Sequence, residues 1–171
     1  MLLALFGLGL LVIAVGWKRK PLKAPPPLPA HAQGALVNVS DPQAITRLVK
    51  GFYTTDNDYW RWTAREFSII LSRPEGADRT GAILMLRFAI APESVANLKS
   101  VDVSTTVDGF ALPRQHYEKA GQFISRQEVP AEALKFDPVR VDFSLDKALQ
   151  PTNKDPRELG LVVSQVGFEP K

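Results

Sequence analysis

The sequence predicts an all-β fold: an antiparallel β-sandwich of about eight strands with one short helix, preceded by a single N-terminal transmembrane helix. Three observations carry this expectation. Beyond Phe52, apolar residues recur at every second position, as in Ala82, Leu84, Leu86, Phe88 and Ile90, which is the period of a strand with one buried face. Turn chemistry separates these runs at Arg73-Pro74-Glu75-Gly76, Asp108-Gly109, Lys119-Ala120-Gly121, Val129-Pro130 and Asp137-Pro138, with no long helical pattern between them. Ahead of all this, Leu2 to Trp17 carries no ionisable side chain, and Lys18, Arg19, Lys20 and Lys23 follow at once.

The apolar run, residues 1–17, reads as a membrane anchor. Its sixteen uncharged residues reach roughly 24 Å as a helix, a short span that Met1, Trp17 and snorkelling lysines extend. It is apolar all round, unlike a helix docked on a soluble core. A cleaved signal peptide would place its positive charge before the run and a small-residue site just after it. Here the charge comes after, and Ala30-His31-Ala32 lies beyond a basic, proline-rich stretch. Trp17 and the bases Lys18, Arg19, Lys20 and Lys23 set the orientation: basic residues near a span prefer the cytoplasmic side. The amino terminus is then outside and the domain cytoplasmic, at a cell inner membrane; a periplasmic domain is the other topology. With no cysteine in the chain, disulfides cannot report the compartment.

Charge supports the same division. The net charge is +3, yet four bases lie between Lys18 and Lys23 and no acid precedes Asp41, so the remainder is weakly acidic. A nucleic-acid reader would carry a basic face on the domain itself. No nucleic acid partner is expected.

Residues 18–36 form a linker, and Ala24-Pro25-Pro26-Pro27-Leu28-Pro29 makes it a semi-rigid polyproline spacer. Residues 37–171 form the domain. Ser40-Asp41-Pro42 predicts a helix start, with Ala44, Ile45, Leu48 and Val49 as its apolar stripe and Gly51 as its stop. Strands follow around Tyr59 to Thr63, Phe67 to Leu71, Ala82 to Ile90, Val101 to Val107, Phe110 to Tyr117, Gln122 to Val129, Val139 to Leu145 and Leu161 to Phe168. Asp108-Gly109 is the hairpin dipeptide among them.

Two stretches go beyond this pattern. In Tyr59-Trp60-Arg61-Trp62-Thr63 the two tryptophans are two apart and face the same side. Trp62 is expected in the core, with Arg61 pointing to solvent or a partner carboxylate. Trp60 and Arg61, with Asp56 and Asp58 just upstream, are candidates for partner or glycan contact. In Asp155-Pro156-Arg157-Glu158-Leu159-Gly160, Asp155 and Arg157 are expected to lock the strand entry by a charge-assisted bond, with Trp62 and Gly160 in the same structural role. Together the two stretches resemble a carbohydrate-binding-like β-sandwich module appended to bacterial glycosyltransferases and envelope proteins, with an early RW strand and a late D-x-R-x-L-G strand entry. The resemblance spans about Phe52 to Phe168. It implies the sandwich fold and a glycan ligand, and it carries no catalytic constellation.

Sites for chemistry are sparse. The two histidines, His31 and His116, lie in linker and predicted strand. There is no thiol, no G-x-S-x-G elbow, no glycine-rich phosphate loop and no H-E-x-x-H helix. Asp56 and Asp58 begin a calcium-loop spacing that is not completed. The expectation is therefore a chain that is not an enzyme and needs no cofactor or metal. It would serve as a membrane-anchored accessory subunit, its helix against other transmembrane subunits and its domain against protein partners. The layout is like that of a photosynthetic reaction-centre H subunit, which suggests an energy-transducing complex. A tethered glycan-binding module is the alternative.

Overall fold

The computed structural model describes residues 36–54 and 59–171. The apolar run, Trp17, the basic cluster, the proline-rich linker, and Asp56 and Asp58 lie outside the described residues. Among the described residues, no helix is long and apolar enough to cross a membrane.

The fold is all-β and antiparallel. Its strands are β1 (Leu36–Asn38), β2 (Leu48–Phe52), β3 (Arg61–Leu71), β4 (Ala82–Ile90), β5 (Val101–Val107), β6 (Phe110–Ala111), β7 (Gln115–Tyr117), β8 (Gly121–Val129), β9 (Val139–Leu145) and β10 (Val162–Pro170). They form one curled sheet in the order β6-β5-β9-β3-β10-β4-β8, with β1 added to β10, β2 to β3 and β7 to β5. Strand β3 makes the sheet continuous. Its first residues pair with β10, Trp62 opposite Val162 and Arg61 opposite Val163. Its later residues pair with β9, from Glu66 opposite Ser144 to Leu71 opposite Val139.

The curl encloses one core. Phe67 stacks on Phe143 with centroids 4.8 Å apart and planes 14° apart, and Phe52 meets Phe67 edge-on at 5.4 Å. Leu84, Ile90, Leu134, Leu161 and Phe168 are fully buried around them. The alternation seen in the sequence sets this: on β5, Val101, Val103, Thr105 and Val107 are buried while Asp102, Ser104 and Thr106 are half-buried. Asp108 and Gly109 both have positive φ, 45° and 85°, the primed-turn geometry that matches the twist of the flanking strands.

The predicted helix at Ser40 to Gly51 is corrected. Asp41, not Ser40, caps it through a 2.8 Å bond from the Gln43 N–H, and only a 3₁₀ turn over Pro42–Thr46 follows. The chain then enters β2. Gly51 has φ +73°, and a Cβ there would lie 2.0 Å from Glu66 O, so this glycine allows a bulged close approach to β3 and does not end a helix. Ile45 and Val49, expected on a buried stripe, are 56% and 44% exposed. Two short helices, α1 (Ala77–Thr80) and α2 (Pro92–Leu98), and a 3₁₀ turn at Ala131–Leu134 cap strand ends.

Candidate functional site

The sheet brings the two distinctive stretches together at the start of β3. Gly160 N donates to Thr63 O at 2.7 Å, Thr63 N donates to Leu161 O at 2.8 Å, and Leu161 N donates to Thr63 Oγ1 at 3.0 Å. Gly160 is needed here for space: a Cβ would lie 2.6 Å from Ala64 O and 2.8 Å from Leu145 Cδ1. Tyr53, just past β2, donates from its hydroxyl to Glu158 O at 2.8 Å. Arg157 lies 5.4 Å over the Tyr53 ring and grips Asp155 with two bonds, Nε to Oδ1 at 2.9 Å and Nη2 to Oδ2 at 2.8 Å. Those bonds, with one from the Arg157 N–H, lower the Asp155 carboxyl to about 2.

Arg61 does not point to solvent. It is 6% exposed, its Nε donating to Val39 O at 2.5 Å and its Nη1 to Tyr53 O at 3.0 Å. Trp60 and Trp62 are on the other side, each partly exposed, so the expected inward position of Trp62 is corrected too. The reason is strand parity. At the start of β3, Arg61 and Thr63 are both buried, so the residue between them, Trp62, faces outside; the alternation is interrupted at the exposed Arg65 and Glu66 before Phe67. The two indoles meet at 6.4 Å with planes 88° apart, forming a corner.

A second cluster, at the β5–β7 edge, was not foreseen. Asp102 opposes His116, and the His116 Nδ1–H bonds the Asp102 carboxylate. His116 Nε2 lies 3.2 Å from Glu118 Oε1, and Arg114 Nη1 lies 3.7 Å from Asp102 Oδ2. The bond to Asp102, then that to Glu118, raises the imidazole above its ordinary 6.5. The same imidazole lowers Asp102 below 3.8. Beside it, a shallow hollow of about 240 Å³ is lined by His116, Tyr117, Glu118, Lys119 and Phe123. Its floor is rigid, because Tyr117 and Phe123 pack at 4.9 Å and both lie against Phe88.

The pairing escapes simple counting. From the Asp108-Gly109 turn, Val107 pairs with Phe110 and Thr106 with Ala111, which extrapolates to Gln115 opposite Asp102. Pro113 cannot donate to the ladder, the strand breaks into β6 and β7, and the register slips by one to His116. Among the described residues, no group of three His, Asp or Glu side chains is placed to hold a metal ion.

No family model matches the chain, and no curated protein matches it in sequence. Among solved structures, an acetyl xylan esterase from the rumen bacterium Butyrivibrio proteoclasticus is similar, with 13% identity and a TM-score of 0.45 over 80% of this chain. The chain spans about a third of that enzyme's length, 33%. Set against this finding, the expectation that the chain is not an enzyme is corrected and withdrawn. At that TM-score the likeness carries no argument about a reaction in this chain.

Proposed function

We propose that this protein is a β-sandwich module tethered to a bacterial inner membrane by its N-terminal apolar run, with the domain on the cytoplasmic side. It serves as an accessory or scaffolding subunit of a larger membrane protein complex. The observation that carries the protein-partner reading is the Trp60–Trp62 corner. Tryptophan supplies large, rigid contact area at protein interfaces, and this pair flanks Arg61, whose buried side chain ties the strand start to the Val39 and Tyr53 carbonyls. A partner docking there orders little that is not already ordered. Indoles at 88° offer a corner for one apolar side chain and no common plane for stacked sugar rings.

Mild-detergent solubilisation from the native membrane, followed by size separation and identification of co-migrating proteins, tests this reading. Wild type should travel with a defined set of membrane proteins. The Trp60→Ala/Trp62→Ala double variant, checked for folding by circular dichroism, should travel alone. Wild type migrating alone would overturn the proposal.

One observation favours a second reading, a tethered glycan-binding module. The hollow at Tyr117 and Phe123 pairs an aromatic floor with His116, Glu118 and Lys119, groups able to hydrogen-bond hydroxyls. That reading favours a domain outside the cytoplasm. Labelling of Lys119→Cys in intact cells by a membrane-impermeant thiol reagent would support it, and protection would support the subunit reading.

A further inference from the structure

We infer that the end of the domain where the chain enters β1 lies against the same bilayer, with Phe136 inserted among the lipids; this rests on the reading of residues 2–17 as an anchor. The direction of β1 identifies that end. Leu36 opposes Gly167 and Asn38 opposes Gln165, so the chain arrives from the side where β10 finishes at Pro170 beside Ala82. Helix α1 and the 3₁₀ turn at Ala131–Leu134 close this end.

The loop after that turn is braced. Leu134 is fully buried, Lys135 Nζ donates to Asp78 O at 2.9 Å, and Arg73 N donates to Asp137 Oδ1 at 3.1 Å. Between these fixed neighbours Phe136 stands 75% exposed. A loop held on both sides of a phenyl ring presents that ring outward; it is not waiting for the core. Two more apolar side chains sit at the same end. Phe110, 45% exposed, adjoins the turn whose Asp108 N–H bonds Arg140 O at 2.8 Å. Ile45, 56% exposed, lies two residues before Arg47, whose carbonyl accepts from Ile70 N at 2.8 Å.

The bilayer fits this surface because of where the chain comes from. Residues 18–35 would reach roughly 56 Å as a polyproline spacer and no more than about 65 Å fully extended, so lipid is always the neighbour at high effective concentration. The charges here do not select anionic lipid. Arg73 is paired with Asp78, Asp108 is used on Arg140 N, and the exposed Arg47, Arg79 and Lys135 are balanced by exposed Glu75, Glu132 and Asp137. The contact is apolar and should persist in neutral lipid and in salt.

The chain contains no cysteine, so single introduced thiols can be read cleanly. Full-length Phe136→Cys, Lys154→Cys and Leu8→Cys, each carrying an environment-sensitive fluorophore, would be placed in phosphatidylcholine vesicles with and without spin-labelled quencher lipid. Lys154 lies on the loop before β10, at the opposite end. The expected result is quenching at position 136 several-fold stronger than at 154, unchanged by added salt. Position 136 quenched no more than 154, with position 8 strongly quenched, would overturn the inference and leave the anchor standing. An unquenched position 8 would overturn both.

Discussion

The junction at Thr63 and Gly160 and the rim at Asp102 and His116 each join an early strand to a later segment, yet different chemistry holds them. At the junction, side chains bond backbone: Arg61 to the Val39 and Tyr53 carbonyls, Thr63 Oγ1 from the Leu161 N–H, and the Tyr53 hydroxyl to the Glu158 carbonyl. At the rim, charge meets charge where water reaches both, His116 being 54% exposed in its side chain. A buried carbonyl that loses its donor has no substitute, whereas an exposed carboxylate is rehydrated. The junction should therefore carry stability, and the rim should be free to respond to its surroundings.

Substitutions at the junction give the largest effects and would break the comparison if they did not. Arg61→Ala removes a long buried side chain and leaves two carbonyls without donors. Unfolding free energy should fall by about 4 kcal/mol, measured as the urea midpoint at unchanged slope. A loss near zero would mean that water replaces the guanidinium, and the junction would then be no different from the rim. Gly160→Ala comes next, at about 3 kcal/mol. The nearest obstruction is a backbone oxygen, Ala64 O at 2.6 Å, which cannot swing aside as a side-chain tip can. Loss of under half that figure would show that the final strand entry shifts easily.

How far these regions were legible in the sequence differs in an instructive way. The strands at Ala82 to Ile90 and Val139 to Leu145 could be read directly, because every second residue is buried in each, although Met85, between Leu84 and Leu86, is buried as well. The inward turn of Arg61 was only partly legible. The phase of Phe67, Ile69 and Leu71 is interrupted at the exposed Arg65 and Glu66, where the pairing with β2 shifts register, and it resumes at Thr63 and Arg61. Tryptophan's hydrophobicity argued the other way, and the local alternation of Arg61, Trp62 and Thr63 won. β2 was hidden by chance spacing: Ala44, Ile45, Leu48 and Val49 mimic a helical stripe. Pairing with β3 and the close approach at Gly51 override that local pattern. The rim was out of reach, since the slip at Pro113 that sets His116 beside Asp102 is settled by the third dimension.

A gentler change sharpens the comparison inside the junction. Thr63 is fully buried, and Thr63→Val keeps its shape while leaving the Leu161 N–H without its acceptor. The expected loss is about 1–2 kcal/mol. Hydrogen exchange at the Leu161 amide should accelerate in step with it. A change in stability without faster exchange would assign the effect to packing and not to the bond.

The smallest effect belongs to the rim, and its sign is the informative part. The His116 pKa is raised above 6.5, chiefly by its bond to Asp102. Its contribution is thus complete below 6.5 and fades as pH rises through the higher folded value. Asp102 is lowered below 3.8, so its share is present above that value and lost as pH falls through the lower folded one. The pair is strongest between these limits. His116→Gln should lower the unfolding midpoint slightly in mildly acidic buffer and leave it unchanged well above the folded histidine pKa. Added salt should shrink even that difference, because both groups are open to water. A loss that stayed constant from acid to alkaline pH would show His116 acting through packing against the Tyr117 hollow, and the rim would then belong with the junction as part of the frame.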